Sequence, residues 1–494
     1  MQDGIKMKLT EKNTLVYVML IAAIVILIPH LVRFSFYNNI MIGEESYYHA
    51  TIAKQIIEQK SLIHDPNYVF NPYHLILALA GYFIGVEFAS KLIPFLLGML
   101  SVLVFYLILK EFKIEIEERF VISLILIISS SFIYLSTMSN IYSVPVFMTL
   151  LGIYLLFKKN IFLTVLSFLA FAAAISFGMF NALLVITIII AYLIEETQKE
   201  KVSPETKKPR FSFKSKKAAV FLFMLFIISV LCFPLYFQQR TKVLPAGNIL
   251  QSSISDLGAL TGVGVFNILL AVVGFFLIWK KRKEYPFIFL LLLIMFMFFF
   301  YTKNISVYLT FIFSVLAGHA FVKIRDMGWE VKIIKNLTML LMICGLLFST
   351  ISYLNRISNM QPDNEVIKSL DWLKHYSKQD EVVFSHYSKG FWITDVAERP
   401  VVTDKMFEYY PNAEERFNDS LEIFYSRNLK NTKSLLEKYN INYIWIDNEM
   451  KNGLVWEKEQ QGLLFLFRNN ETFKNIYNNQ GIEIWKVYPR ILGE

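Results

Sequence analysis

Between the first and second long apolar runs of the chain stands the segment Gly43-Glu44-Glu45-Ser46-Tyr47-Tyr48-His49. Adjacent carboxylates at the mouth of an apolar stretch can do two kinds of chemistry. A carboxylate in a cleft beside lipid has a raised pKa and can act as a general base, and a neighbouring acid raises that pKa further. The same two groups, Glu44 and Glu45, could instead hold Mg²⁺ or Mn²⁺, which favour oxygen ligands. On a helix starting at Glu44, His49 follows Glu45 by four residues and shares its face, with Tyr48 beside it. Cations for an anionic partner stand at Arg33, Lys54, Arg240, Lys242 and Lys303, and Asp256 shares a loop with Arg240 and Lys242. Each residue also has a plainer reading. Paired acids after an apolar helix can be interfacial solvation, and His49 can be a helix-surface residue. Asp256 can cap the helix that follows it. Arg240 and Lys242 can be headgroup contacts, and His386 and Lys389 read as a polar surface.

The elements that must position these residues follow from composition. The 494 residues are 55% hydrophobic and 18% charged, with a mean hydropathy of +0.46. That balance belongs to a polytopic membrane protein. The apolar runs are continuous rather than alternating, so they span as helices of roughly 20 residues. Cys232 and Cys344 both lie inside apolar runs, which argues against a disulfide framework or a cysteine metal site. The net charge of +9 comes from lysines clustered in short loops between spans and calls for no nucleic acid.

Spans are expected near 14–33, 91–109, 120–137, 143–157, 161–177, 179–194, 218–236, 263–279, 286–301, 304–322 and 333–353. The basic loops at 158–160, 197–217, 280–285 and 323–335 share one side, which the positive-inside rule makes cytoplasmic together with the N-terminus, and the loop at 110–120 joins them because two spans separate it from Lys158. An even number of crossings then separates residue 13 from residue 110. The weaker apolar stretch at 71–88 is therefore read as a helix lying in or dipping into the outer leaflet. The expected fold is a polytopic α-helical membrane protein of about 11 transmembrane helices over 1–355, with a first external loop at 34–90. Residues 356–494 are expected to form an external α/β domain. Within it 381–385, 399–404, 441–447 and 481–488 read as strands, and the amphipathic segments between them as helices.

The acid pair with its Tyr-Tyr-His, the run that opens Pro94 to Gly98, and the tail segment from Val382 to Asp404 resemble the GT-C glycosyltransferases. The likeness is greatest to archaeal oligosaccharyltransferase catalytic subunits, and there are protein-mannosyltransferase-like features. Gly43 to His49 is similar to the family's Gly-Asn-Asp-x-Tyr-Tyr-His. Ser253-Ile254-Ser255-Asp256 is similar to its acceptor-loop motif, and Gly390, Trp392, Ile393 and the following Glu-Arg-Pro-Val-Val to its tail segment. The resemblance implies transfer of a sugar or oligosaccharide from a polyprenyl- or dolichyl-phosphate-linked donor to a protein, glycan or lipid acceptor. It implies a multi-pass plasma-membrane protein with the tail outside. Glu44, Glu45 and Asp256 would be catalytic, and Glu44 and Glu45 would be the metal ligands if a metal is used. Tyr48, His49, Arg240, Lys242 and Lys303 would bind substrate. Aligned to oligosaccharyltransferases, Glu45 takes the catalytic place; aligned to protein mannosyltransferases, Glu44 does.

Two positions depart from the family pattern. His386, Tyr387, Ser388 and Lys389 stand where Trp-Trp-Asp-Tyr would read a sequon hydroxyl, and Asn140 and Tyr142 stand where a second acid pair would hold metal. These departures keep open a second reading, a non-catalytic relative that binds lipid-linked glycan or a partner protein. A transporter ranks last, for want of internal repeats or midplane ionisable groups.

Overall fold

A computed structural model describes residues 10–36, 41–59, 71–158, 160–201, 225–232, 249–279, 305–458 and 460–488. The helices of the first part are α1 Glu11–Phe36, α2 Glu44–Gln59, α3 Pro72–Ile84, α4 Val86–Glu111, α5 Ile116–Ile127, α6 Ser130–Thr137, α7 Ser143–Phe157, α8 Ile161–Ile175 and α9 Met179–Lys201. They are followed by α10 Val265–Trp279, α11 Ser306–Arg325 and α12 Lys332–Ser358. Among the described residues α1, α4, α11 and α12 are long and apolar enough to cross a bilayer, and α5 with α6 makes a fifth candidate. The chain is an integral membrane protein. Shorter apolar helices occupy the expected spans at 143–157, 161–177, 179–194 and 263–279. The expected span at 286–301 lies outside the described residues, and that at 218–236 does so except for a helical stretch at 225–231.

Two boundaries differ from expectation. The 71–88 stretch ends as a helix at Ile84. Asn71 caps its start by accepting from the Tyr73 N–H, Pro72 sits where its missing N–H costs nothing, and Gly85 ends it at φ 83. Residues 86–88 belong instead to α4, which therefore starts earlier than the expected 91. The expected single span at 120–137 is broken, with α5 and α6 meeting at 66°. The break falls at Ser129, where hydroxyls offer the backbone other partners. Thr350 donates to the freed Ile128 carbonyl at 2.8 Å, Ser130 to the Gly262 carbonyl at 2.7 Å and Ser131 to the Thr261 carbonyl at 2.8 Å. The kink thus ties α6 to the loop before α10 and to α12.

The tail contributes α13 Asn364–Tyr376, α14 Ala413–Tyr425 and α15 Leu429–Lys438. They pack with β1 Val382–Phe384, β2 Ile441–Ile446, β3 Phe473–Asn479 and β4 Ile482–Val487 in one sheet of order β1-β2-β4-β3. β1 runs parallel to β2, and the other pairings are antiparallel. The expected strand at 399–404 is reduced to a single bridge from Val401 to Val383. β3 was not expected, because its Phe-Lys-Asn-Ile-Tyr-Asn-Asn shows no apolar alternation. It is held by a tight turn in which Gln480 and Gly481 both have positive φ. The tail shares its core with the bundle. Tyr47, Ala50, Ala53, Tyr73 and Leu77 of α2 and α3 form one buried cluster with Leu370, Phe391, Trp392 and Trp445.

Candidate active site at the head of α2

Gly43 turns the chain into α2 at φ 73, a conformation that side chains disfavour. A Cβ there would also meet the tip of the Met138 side chain, which can move aside, so it is the backbone conformation that calls for glycine. Met138 belongs to the loop after α6, and the two first-contact loops of the bundle are stitched together here. Ser139 donates its N–H to Ser46 Oγ at 3.2 Å, and Tyr73 Oη meets Ser139 Oγ at 2.7 Å. Asn140, where the resemblance would put an acid, accepts the N–H groups of Tyr142 and Ser143 at 2.9 Å each and so caps the start of α7.

The two carboxylates have different surroundings. Glu44 is ion-paired with Lys405 of the tail. Glu45 accepts a hydrogen bond of 2.6 Å from the Tyr134 hydroxyl of α6. The Glu45 side chain is reachable by water yet walled by protein, so it lines a recess rather than the outer surface. The walls strip water from it and push its pKa up; Tyr134 pulls it back, Glu44 pushes it up again, and Lys405 pulls it down. Tyr353 of α12 is within electrostatic reach of Glu45, with the Arg356 guanidinium 5.1 Å from the Tyr353 ring centre. Arg356 is held by the carbonyls of Ser255 at 2.9 Å and Ala259 at 2.8 Å. On the tail side Tyr387 is within electrostatic reach of Glu44, and His386 of Lys405. Burial, with Lys389 and Lys405, lowers His386 to about 4, so the ring is neutral at pH 7. Burial pushes the Tyr387 hydroxyl up, and Glu44 adds to it.

His49 is buried and joined through Nδ1 to His74 Nε2 at 2.8 Å, so it locks α2 to α3 rather than facing solvent. Tyr48 packs its ring 4.8 Å from Phe391, docking α2 on the tail. Lys54 is engaged by Asp395 at 3.0 Å, and Arg33 by the carbonyls of Met360 and, at 2.9 Å, Pro362. Asp256 accepts the Val265 N–H at 2.6 Å and the Ser349 hydroxyl at 3.1 Å, which is the capping arrangement for α10. Arg240, Lys242 and Lys303 lie outside the described residues. Lys389 is not a surface group: it is 2% exposed, 2.8 Å from Asp447, paired also with Glu449, and 4.7 Å from the Trp392 ring centre. Among the described residues no three His, Cys, Asp or Glu side chains gather as a metal set. With an ammonium already bonded to Glu44, the pair is a poor fit to Mg²⁺ or Mn²⁺. No spacing or motif in the sequence points to Tyr134, Tyr353, Arg356 or Lys405. A tyrosine inside the apolar Ser-Ser-Phe-Ile-Tyr-Leu run was the one available signal, since its hydroxyl needs a partner.

No protein-family profile and no curated protein matches the chain. Solved structures do. The oligosaccharyltransferase of Archaeoglobus fulgidus in the apo form matches with a TM-score of 0.60 at 14% identity, over 96% of this chain and 74% of that one. The archaeal oligosaccharyltransferase AglB from the same organism, in complex with an inhibitory peptide and a dolichol-phosphate, matches at 0.59 and 12%, over 97% and 74%. ArnT from Cupriavidus metallidurans bound to undecaprenyl phosphate matches at 0.56 and 10%, over 95% and 97%. These are GT-C glycosyltransferases, and the chain has their fold over nearly its whole length.

Proposed function

We propose that the protein is a glycosyltransferase that moves a sugar or oligosaccharide from a polyprenyl-phosphate or -diphosphate carrier to an acceptor on the external face of the plasma membrane. The observation that carries this reading is the asymmetry of the acid pair. Glu44 is spent on Lys405, while Glu45 keeps one tyrosine partner in a recess between bundle and tail. Glu45 takes the proton of the acceptor as its attacking atom bonds to the sugar C1. The bond from C1 to the carrier phosphate breaks, and its electron pair leaves with the phosphate. Lys405 and Arg356 are the cations beside this recess for that phosphate, and Arg240, Lys242 and Lys303 are further candidates. Tyr48 and His49 position α2, and Asp256 positions α10. No step is assigned to a metal. The solved relatives with dolichol-phosphate, undecaprenyl phosphate and an inhibitory peptide support a lipid-linked donor and a peptide among acceptors.

Transfer of labelled sugar from a pool of polyprenyl-linked donors, in membranes, tests the reading. Glu45→Gln is expected to cost about 10²- to 10⁴-fold, the usual share of a general base, Glu44→Gln much less, and EDTA nothing. The second reading, a binder without catalysis, is favoured by the helix-capping role of Asn140 where the family has an acid. Donor bound but never consumed, in wild type and variants alike, would establish it instead.

A further inference from the structure

A cavity of about 530 Å³ lies at the end of the bundle opposite Glu45, within the size range of small-ligand sites. Two contacts orient it. Ser129 meets Thr310 at 2.5 Å near the start of α11, on the side of α6 and Glu45, and His319 meets Glu118 at 2.7 Å near the end of α11. Lining residues run from Tyr308 to Lys323, a depth of about 22 Å at 1.5 Å per residue. That passes the middle of a hydrocarbon core of about 30 Å. The walls are mostly leucine, isoleucine, valine and phenylalanine side chains of α4, α7, α9, α10 and α11, with Thr149 and Tyr308 among them, and charge is confined to one rim: Lys113, Glu115, Glu118, His319 and Lys323.

Glu118 is occupied by His319. The side chains of Lys113, Lys323 and Glu115 have no hydrogen-bond or ion-pair partner among the described residues. Lys113 is also held at φ 57, a left-handed conformation that usually falls to glycine. Its N–H bonds the Lys110 carbonyl at 2.9 Å and the Ile114 N–H bonds the Leu109 carbonyl at 3.3 Å. This turn ends α4 with Lys113 at the rim and Ile114 in the wall. Lys113 and Lys323 thus present two ammonium groups that no rim carboxylate holds, above a deep, largely apolar shaft.

We propose that this cavity binds a phosphorylated lipid, one hydrocarbon chain lying in the shaft and the phosphate held at the rim by Lys113 and Lys323. A free phosphate would use the rim and leave the shaft without contact on every wall, whereas a chain supplies those dispersion contacts. The site is separate from the recess at Glu45 and does not depend on the transfer reaction.

The test uses the full-length protein in detergent with a photoreactive phosphatidylglycerol carrying its diazirine near the end of one acyl chain. Label is expected in peptides of α7 and α9 that line the cavity, and excess unlabelled phosphatidylglycerol should remove it. Millimolar inorganic phosphate should not. Lys113→Gln with Lys323→Gln, both exposed and without effect on the fold, should lower labelling about tenfold or more, as loss of charge-assisted hydrogen bonds implies. Leu150→Trp, which fills the shaft, should abolish it. Label spread over lipid-facing helices, or unchanged by the double lysine variant, would overturn the site. Equal protection by inorganic phosphate would overturn the lipid assignment.

Discussion

The Tyr134 hydroxyl is the most informative atom to remove. It donates to Glu45 at 2.6 Å and favours the ionised carboxylate against the surrounding protein walls. A hydrogen bond to a charged group is worth about 1.5–3 kcal/mol, a factor of roughly ten to a hundred in the ionised fraction. Tyr134→Phe takes that bond away and leaves the ring, so packing is conserved while the Glu45 pKa rises. The base must be ionised to work. Transfer should therefore fall by about tenfold or more on the acid side of the pH–rate profile and recover toward wild type as pH rises. Initial rates of sugar transfer across pH 5.5 to about 9, in the same membranes, read this directly. A uniform loss with the acid limb unmoved would refute the reasoning, because it would mean that Glu45 is not the titrating base or that Tyr134 acts only by packing.

Asp256→Ala should lower the thermal midpoint through loss of the α10 cap, worth about 1 kcal/mol, while transfer falls less than tenfold; loss comparable to Glu45→Gln would make Asp256 catalytic. Asp395 provides a pH test of tail docking. Burial, only partly offset by Lys54 and Thr51, raises it from its ordinary 3.8 to about 6. The folded state thus binds the proton more tightly, and stability should fall by about 3 kcal/mol as pH rises through that window, then level off. Asp395→Asn should flatten thermal midpoints measured between pH 4 and about 7; an unchanged slope would remove Asp395 as its source.

Local pattern carried the helices well. The apolar run at 143–157 became α7 at the same bounds, and the Glu44 start of α2 follows from two acids in its first turn, where the helix dipole welcomes them. The kink at Ser129 was hidden, because serines inside an apolar run can bond within a helix as readily as they can leave it. Its cause lies in Thr350 and the Gly262 carbonyl, far along the chain. The site divided in the same way. Glu44, Glu45 and their helix were legible from spacing, but what separates their roles comes from Tyr134 and Lys405, and no window of sequence contains both ends of either contact. Lys389 was misread as surface because its partners, Asp447 and Glu449, reach it only once the tail has folded. Asn140 was read as a missing acid, while its place at the head of α7 makes it a cap.

The pairing of Glu44 with Lys405 spans 361 positions of the chain. At about 5–20 residues per second, a ribosome needs roughly 20 to 70 s to travel between them. During that interval the newborn head of α2 already stands at the membrane, with its outer acid uncompensated and its recess lacking one wall. A chain stalled or cut before residue 405 would carry every span described above and still have an unfinished pocket. The wall that Lys405 supplies to the head of α2 is thus completed only in the last part of translation.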